Sequence, residues 1–396
     1  MYNETYKQIA NTLHKRGYEV YVVGGAVRDS VQRNPIYEVD LATNAKQYEL
    51  RELFFGHQIK TLGDFWTIID GVPVITFFHK DYHHGEVTYE YTPSLGIFTR
   101  SLDFTVNSMV KTVTGELIDE HSGTRDMNRR ILRTISDPDL VFTSEPHLML
   151  RALYLVASTG YSFDYDCEQS FISHKHLLFT HPDTPLRLGE VLSKVFGRRV
   201  FSKFLYLLEK YDLTDLLLEG YTQLDQHLAP DSVDIPNALE ATRAMIRAVE
   251  DKANPGMLLA SLYLYSGLLH PQSELEATAP LESGLYPYQV SSAHYLRTKL
   301  STMGVDQDLI HYASFLITFK GLFFGDNLSH SNIVSGLKLL SAYYPDKKLL
   351  SKMVSVLYTY SNNFCRVTNS ERYSEEKPIF SENRYTINTV LRGMSE

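Results

Sequence analysis

The pattern of hydrophobic and polar positions divides this chain into a mixed front part and a helical remainder. Apolar residues recur at helical spacing over residues 2–16, and Gly17 follows, as a glycine commonly does after the C-terminus of a helix. Further helices are predicted around residues 26–30 and 46–55. Short runs rich in β-forming residues predict strands at 19–23, 39–42, 66–69, 74–78 and 87–91. The front part should therefore fold as a small mixed sheet with helices on one side.

From about residue 142 onward, the strongly periodic segments have helical spacing, and no further strand is predicted. Breaks rich in Pro, Asp and Ser near residues 229–236 and 271–287 separate groups of helices. We therefore predict an α+β fold with three parts. These are a head over residues 1–141, a helical neck over 142–230, and a helical body and tail over 231–396.

Composition narrows the functional classes without selecting one. The N-terminus lacks the apolar core of a signal peptide and no run of eighteen apolar residues exists, so we expect a cytoplasmic protein with no membrane partner. Two cysteines far apart in sequence indicate neither a disulfide framework nor a zinc site. A net charge of −9 argues against indiscriminate coating of nucleic acid, although a locally basic cleft is compatible with it. The sequence does not indicate an oligomeric state.

The segment with the most specific chemistry couples a double glycine to a pair of acids. Gly24 and Gly25 follow a predicted strand and precede a predicted helix, so their backbone N–H groups can approach a triphosphate. Glu38 and Asp40 lie two apart on the next predicted strand, so their side chains should share one face and bind the same metal ions. Either feature alone is weak, but both at this spacing indicate a phosphoryl-transfer site of the nucleotidyltransferase class.

Four ordered segments resemble motifs of the class II tRNA nucleotidyltransferases, or CCA-adding enzymes, and of the bacterial poly(A) polymerases. Residues 21–29 together with 38–43 resemble the first motif of that family. The further matches are 103–108 with its sugar-selecting block, 115–133 with the segment that joins head to neck, and 145–152 with the start of its nucleotide-reading helix. The resemblance covers the predicted head and most of the neck.

The resemblance implies a polymerase-beta-like head and a metal-dependent, template-independent transfer of nucleoside monophosphate to an RNA 3′ end. ATP, with CTP as an alternative, would be the donor and tRNA the favoured acceptor, and the region 231–396 would bind the RNA. Glu38 and Asp40 would be the catalytic residues and the ligands of two Mg²⁺ ions. The nucleotide would be bound by Gly24, Gly25, Arg28, Asp29, Asp103, Asn107, Glu145 and Arg151.

Several family positions hold other residues in this chain. Glu38 stands where the family normally has aspartate, and a displacement of about 1 Å in such a group can cost about a hundredfold in rate. Ser101 and Leu102 stand where the family has two arginines. The family reads the base with an acid and an arginine three apart on one helical face. Here Glu145 matches the acid, but Leu148 occupies the arginine position and cannot donate a hydrogen bond.

Other positions modify the expected site. Pro73 and Phe78 stand where the family often has an acid and an arginine, and Glu90 on the following strand is a candidate substitute acid. Trp66 replaces a glycine, which suggests a more filled sheet edge or a narrower cleft. Residues 80–86 contain two adjacent histidines, and we expect a solvated, flexible loop there rather than a metal site.

These departures leave two alternatives to an ordinary transferase open. In the first, catalysis has been lost and the fold binds tRNA or a protein partner. In the second, the chain is a tRNA-modifying transferase with an altered choice of nucleotide, because its base-reading pair is incomplete. Incorporation of ATP into an RNA would contradict the first alternative, and strict C-C-A addition would contradict the second.

Overall fold

The chain divides into two compact units in a computed structural model. The first unit is Met1–Thr184 and the second is Pro185–Glu396. The structure describes residues 2–36, 38–83, 85–229, 232, 234–250, 254–270, 287–320 and 347–368. The division between the units lies inside the predicted neck, and the boundaries predicted at 141 and 230 stay predictions.

A seven-stranded mixed sheet forms the centre of the first unit. Its strands are β1 Val20–Val23, β2 Asp40–Thr43, β3 Ile59–Leu62, β4 Trp66–Ile69, β5 Val72–Thr76, β8 Val110–Thr112 and β9 Leu117–Ile118. Their order across the sheet is β3-β4-β5-β2-β1-β8-β9. Strands β2 and β5 run parallel, and the other neighbouring pairs run antiparallel. The predicted mixed sheet is confirmed.

Helices accompany this sheet in the first unit, and apolar cores join several of them to it. They are α1 Tyr2–Lys15, α2 Gly25–Val31, α3 Gln47–Leu53, α4 Leu95–Arg100, α5 Gly123–Arg129, α6 Pro138–Ser144, α7 His147–Thr159, α8 Tyr165–His174 and α9 Leu177–Thr180. One core joins α1 and α3 to the sheet through residues such as Leu13, Leu41 and Leu50. A second core joins Val27 of α2 to Leu155 of α7. Helix α7 is therefore packed into the core of the head, although the sequence places it in the neck.

A separate two-stranded hairpin stands beside the sheet. Strands β6 Phe78–His83 and β7 Glu86–Tyr91 pair antiparallel, with Phe78 opposite Tyr91 and His83 opposite Glu86. The loop predicted over residues 80–86 is wrong in its bounds, because strand pairing continues through His83. His84 lies outside the described residues. The hairpin gives Lys80, Tyr82 and Tyr89 fixed positions, which matter for the site described below.

The short strands β3, β8 and β9 of the sheet, and a separate pair of two-residue strands, were also absent from the sequence prediction. Strand β3 lies at the edge of the sheet, and its residues are partly or fully exposed, so its apolar alternation is weak. Strand β11 Ser162–Phe163 pairs in parallel with β10 Ile131–Leu132. The expectation that no strand follows residue 142 is therefore wrong. Within the part of the chain that the structure describes, β11 lies there, and its two residues are too few to produce a periodic pattern.

Regular structure in the described residues of the second unit is helical, as predicted. The helices are α10 Thr184–Arg198, α11 Phe201–Lys210, α12 Ala238–Glu250, α13 Pro255–Leu262, α14 Ser266–Leu269, α15 Pro287–Thr302, α16 Gln307–Phe319 and a last helix, Lys347–Thr368. The predicted break at 271–287 lies almost wholly outside the described residues. Among the helices that the structure describes, none has the length and apolarity needed to cross a membrane.

Candidate active site

The double-glycine turn connects β1 to α2 directly above the start of β2. Gly24 has φ +70° and ψ −140°, a backbone conformation that side-chain-bearing residues rarely adopt. Val23 and Asp40 are opposite each other where β1 and β2 pair. A Cβ atom added to Gly24 would lie 3.8 Å from Oδ2 of Asp40. The turn therefore brings bare backbone close to a carboxylate, as predicted for these two motifs.

The two acids of the predicted metal site occupy different local structures. Asp40 is the first residue of β2 and is partly buried, whereas Glu38 precedes the strand and is exposed. The prediction that both lie on one strand face is wrong for Glu38, because pairing with β1 ends at the Val23–Asp40 pair and the chain turns away at Gly24. Strand alternation therefore orients only one of the two carboxylates.

The donor atoms present suit a cation that shares its coordination with a substrate. Within the described residues, no group of three or more His, Cys, Asp or Glu side chains is arranged to hold a metal ion. Mg²⁺ is usually bound by one or two carboxylates, with the remaining ligands supplied by water and by phosphate oxygens. Asp40 beside the glycine turn, with Glu38 two residues before it, is compatible with that mode of binding.

Arg28 and Asp29 connect α2 to the sugar-selecting block. Both side chains are buried, and Nη2 of Arg28 lies 3.1 Å from Oδ1 of Asp29. Nη1 of Arg28 donates a hydrogen bond of 2.7 Å to Oδ1 of Asn107. Asn107 belongs to a 3₁₀ turn, Thr105–Asn107. The guanidinium thus fixes this 3₁₀ turn against α2.

Asp103 extends the same network to α7. Its Oδ1 accepts from the backbone N–H of Phe104 at 2.7 Å and from Nδ2 of Asn107 at 3.3 Å. Its Oδ2 lies 2.8 Å from Nε of Arg151, whose side chain is 47% exposed. Asp103 itself is buried. Five predicted site residues, from Asp29 through Arg28, Asn107 and Asp103 to Arg151, therefore form one continuous polar network.

Glu145 has a different environment from the one that the sequence predicts. The helix that the resemblance starts near Glu145 begins at His147 instead, and Glu145 is the C-cap of α6 with non-helical dihedral angles, φ −132° and ψ 68°. The cause is Pro146, since the residue before a proline is sterically disfavoured in the helical conformation. Glu145 and Leu148 are therefore not neighbours on one helical face, and that part of the prediction is wrong.

The Glu145 carboxylate is engaged at both oxygens, and its residue is 3% exposed. Oε2 accepts from Nζ of Lys80 at 2.7 Å and from the Tyr82 hydroxyl at 3.2 Å. Oε1 accepts from the Tyr89 hydroxyl at 2.7 Å. Burial and this carboxylate both raise the pKa of Tyr82, so its hydroxyl keeps its proton. Sequence reasoning missed the three donors, although the period-two pattern of β6 and β7 places them on one face.

The positions that lack the family's cations have packing roles here. Leu148 is 5% exposed and belongs to the buried core. The Ser101 hydroxyl accepts from the backbone N–H of Lys80 at 3.0 Å and donates to the carbonyl oxygen of Ile97 at 2.9 Å. Leu102 packs against an apolar cluster that includes Phe98. Ser101 and Leu102 therefore take part in the contact between the hairpin and the head.

The remaining predicted modifiers lie around the hairpin. Trp66 is 37% exposed on β4, and its ring centre is 5.4 Å from that of Phe78. Trp66 thus lies on an inner strand and contacts β6, and the two expectations for it, a more filled sheet edge and a narrower cleft, stay predictions. Glu90 is exposed on β7, opposite His79. Its suggested role as a substitute acid stays a prediction.

Comparison with known proteins gives the same family for the head. Residues 20–133 match the family described as the Poly A polymerase head domain. The CCA-adding enzyme of Anoxybacillus flavithermus is 32% identical over 194 residues, which cover 44% of this chain and 47% of that protein. The CCA-adding enzyme of a Geobacillus strain is 33% identical over 183 residues, covering 43% of this chain and 44% of that protein. The chain thus matches about half the length of these curated relatives.

Solved structures resemble the chain over a longer stretch. The CCA-adding enzyme of Bacillus stearothermophilus in complex with CTP matches with a TM-score of 0.55 at 19% identity, covering 98% of this chain and 92% of that one. A tRNA nucleotidyltransferase complexed with a primer tRNA and an incoming ATP analog matches with a TM-score of 0.59 at 18% identity, covering 96% and 99%. At these identities the likeness establishes the fold.

Proposed function

Because the head of this chain belongs to the family of CCA-adding enzymes and poly(A) polymerases, we propose that the protein is a template-independent RNA nucleotidyltransferase. It transfers a nucleoside monophosphate from ATP, with CTP as an alternative donor, to an RNA 3′ end. The observation that carries the proposal is the glycine turn, where the backbone of Gly24 approaches the carboxylate of Asp40. A triphosphate and a carboxylate-bound cation need this proximity.

The residues around the turn have distinct roles in the proposed reaction. The backbone N–H groups at Gly24 and Gly25 bind the triphosphate, while Asp103 and Asn107 face the ribose from a turn that Arg28 holds in place. The 3′ oxygen of the RNA forms a bond to the α-phosphorus and the bond to pyrophosphate breaks. The proton of the hydroxyl passes to solvent.

Two Mg²⁺ ions are part of the proposal, with Asp40 and Glu38 as their protein ligands. Bound there, such ions would neutralise charge on the phosphates and on the attacking and departing oxygens. Asp40 holds its position through strand pairing, whereas Glu38 lies on the exposed segment before the strand. We therefore expect Asp40 to be the more important of the two carboxylates.

The proposed acceptor is tRNA, bound in part by the helical region 231–396. Support comes from the relatives, which are named CCA-adding enzymes, and from the solved structure of similar fold that contains a primer tRNA and an ATP analog. The proposal also fits the net charge of −9, because a specific RNA site needs only a local basic surface.

A transfer assay tests the proposal directly. The full chain is incubated with labelled ATP or CTP, Mg²⁺ and tRNA transcripts that lack one, two or three 3′ nucleotides. We expect extended products that depend on Mg²⁺ and disappear with EDTA, and the Asp40→Asn protein is the matched negative control. A folded protein that extends no transcript with any of the four triphosphates would reject the proposal.

A second candidate function is RNA binding without transfer. It is favoured by the packing roles of Ser101 and Leu102, which stand where the family has arginines. This candidate requires tRNA to bind equally well with and without Mg²⁺ and nucleotide. Titration of tRNA under both conditions, beside the transfer assay, separates the two functions.

A further inference from the structure

One buried carboxylate binds three side chains of the β6–β7 hairpin, in addition to the contacts that Ser101 and the core around Phe78 make with it. Lys80 and Tyr82 project from β6 and Tyr89 from β7, and Lys80 and Tyr89 are directly opposite each other across the hairpin. All three donate to Glu145, which lies between α6 and α7. The Lys80 amine also lies 5.4 Å from the centre of the Tyr89 ring. We call this group of four residues the hairpin clamp.

The clamp leaves Glu145 poorly suited to reading a base. A carboxylate that reads a Watson–Crick edge must be accessible and must exchange its protein partners for the base. Glu145 is almost completely buried and forms an ion pair of 2.7 Å with Lys80, whose side chain is 7% exposed. Removing one partner from a buried ion pair leaves an uncompensated charge, which is strongly unfavourable. Binding a base at Glu145 would carry that cost.

The local sequence explains why this acid belongs to the clamp rather than to a helical reading face. Pro146 keeps Glu145 out of α7 and in a non-helical conformation, where it meets the hairpin. Leu148, at the second position of the family's reading pair, is buried and has no donor. Neither half of that pair is therefore available to a nucleotide.

On the premise of the proposed function, we propose that Glu145 is a positioning residue that holds the β6–β7 hairpin, and that the base of the nucleotide is not read by an acid–arginine pair. The polar network of Asp103 and Arg151 remains beside the proposed ribose site. The Nε atom of Arg151 is held by Asp103, while 47% of its side chain surface is exposed. Selection through phosphate and ribose then extends the donors of the proposed function beyond ATP and CTP, and the four ribonucleoside triphosphates are used with similar efficiency.

A mutational cycle on the full chain tests the clamp independently of activity. The variants are Glu145→Gln, Lys80→Met, and the two combined, with Glu86→Gln as control because Glu86 is an exposed acid on the same hairpin. Each single clamp variant should lower the thermal midpoint of the head by roughly 5 °C or more. The double variant should recover at least half of that loss, since neither charge is then unpaired, and the control should be unchanged.

Relative use of the four triphosphates supplies the second readout. The wild-type protein should prefer the best over the worst by less than about tenfold in kcat/KM, whereas a hydrogen-bonding reading pair discriminates by a hundredfold or more, up to about 10⁴. Glu145→Gln should lower kcat/KM for all four in parallel, leaving their ratios within about threefold. Strict C or A selection by wild type, or a ratio changed more than about tenfold by Glu145→Gln with an unchanged midpoint, would overturn the inference.

Failure of the inference and failure of the proposed function have different signatures. A protein that neither transfers nor binds any triphosphate rejects the proposed function, and the thermal cycle still decides whether Glu145 holds the hairpin. Absence of recovery in the double variant overturns the clamp even if transfer is observed.

Discussion

Two carboxylates of the head, Asp40 and Glu145, occupy opposite kinds of environment. Asp40 is partly buried at the start of β2, beside a glycine turn that presents backbone to it. Glu145 is buried at the junction of α6 and α7, with an ammonium group and two hydroxyls bound to its oxygens. The proposed function places the first at a ligand site, whereas the second binds side chains of the hairpin.

The difference shows that burial and existing partners decide how readily a carboxylate can bind a ligand. A buried carboxylate is tolerated only with partners that replace water, and those partners make its later exchange for a ligand costly. A carboxylate at a partly open edge loses less when it binds a cation or lies near a phosphate. On the proposed function, the phosphate chemistry of the family's site is kept at Asp40, while Glu145 and Leu148, at its base-reading positions, serve contacts within the protein.

The largest effect that separates the two regions is expected from Asp40→Asn. The amide keeps the shape of the side chain but removes the charge that would bind Mg²⁺, so transfer should fall by at least about a thousandfold. Its free energy of unfolding should stay within about 0.5 kcal/mol of wild type. Transfer of labelled ATP and urea unfolding measure the two quantities. Asp64→Asn removes the same charge from an exposed turn and should keep full activity.

The next effect is one of stability and concerns Arg28. Replacing it by methionine removes the buried guanidinium from Asp29 and Asn107, which should cost about 3 kcal/mol of unfolding free energy. Transfer should fall as well, because the turn that carries Asn107 loses its contact with α2. Arg129→Met is the control, since Arg129 is exposed on α5 and should change stability by less than about 0.5 kcal/mol. An equal loss in both variants would show that the network has no special importance.

Much of the phosphate-binding region could be predicted because its signals are local. A strand followed by two glycines and a helix start is visible over a few residues, and the structure has β1, the turn and α2 at that place. The same local reasoning wrongly placed Glu38 on the strand with Asp40. Pairing with β1 determines where β2 begins, and the alternation of residues along the sequence does not reveal that point.

The base-reading region could not be predicted in the same way because its contacts are long-range. The partners of Glu145 lie 56 to 65 positions away in sequence, and only the pairing of β6 with β7 brings them together. One local signal was present, since Pro146 disfavours a helical Glu145. The family resemblance predicted a helical Glu145, whereas the structure shows the non-helical conformation that a following proline favours.

Backbone strain at the turn provides the third prediction. An alanine at position 24 would have to adopt φ +70° with ψ −140°, which costs about 1–3 kcal/mol, and its Cβ would occupy space beside Asp40. We expect roughly a tenfold to hundredfold loss of kcat/KM, because the backbone must shift where the triphosphate binds. Gly197→Ala is the control, since a Cβ on this helical glycine meets no atom within 4 Å. That variant should be as stable as wild type or slightly more so.

The smallest effects on stability are expected from removing the two tyrosine hydroxyls of the hairpin clamp. The hydroxyl with the shorter hydrogen bond to Glu145 should contribute more. Tyr89→Phe removes a hydrogen bond of 2.7 Å to the Glu145 carboxylate and should lower the free energy of unfolding by about 1.5–2 kcal/mol. Tyr82→Phe removes one of 3.2 Å and should lower it by about 1 kcal/mol.

The contribution of Tyr82 should also depend on pH. Burial and Glu145 raise the pKa of Tyr82 in the folded state, so the stabilisation from its protonated hydroxyl is fully present below the ordinary tyrosine pKa of 10.0 and is lost as the pH rises above it. Urea unfolding should therefore show a constant difference between wild type and Tyr82→Phe from about pH 6 to about pH 9, and a smaller one above about pH 10. Equal stability of all three proteins would place the hydroxyls outside the clamp and leave Lys80 as its only essential donor.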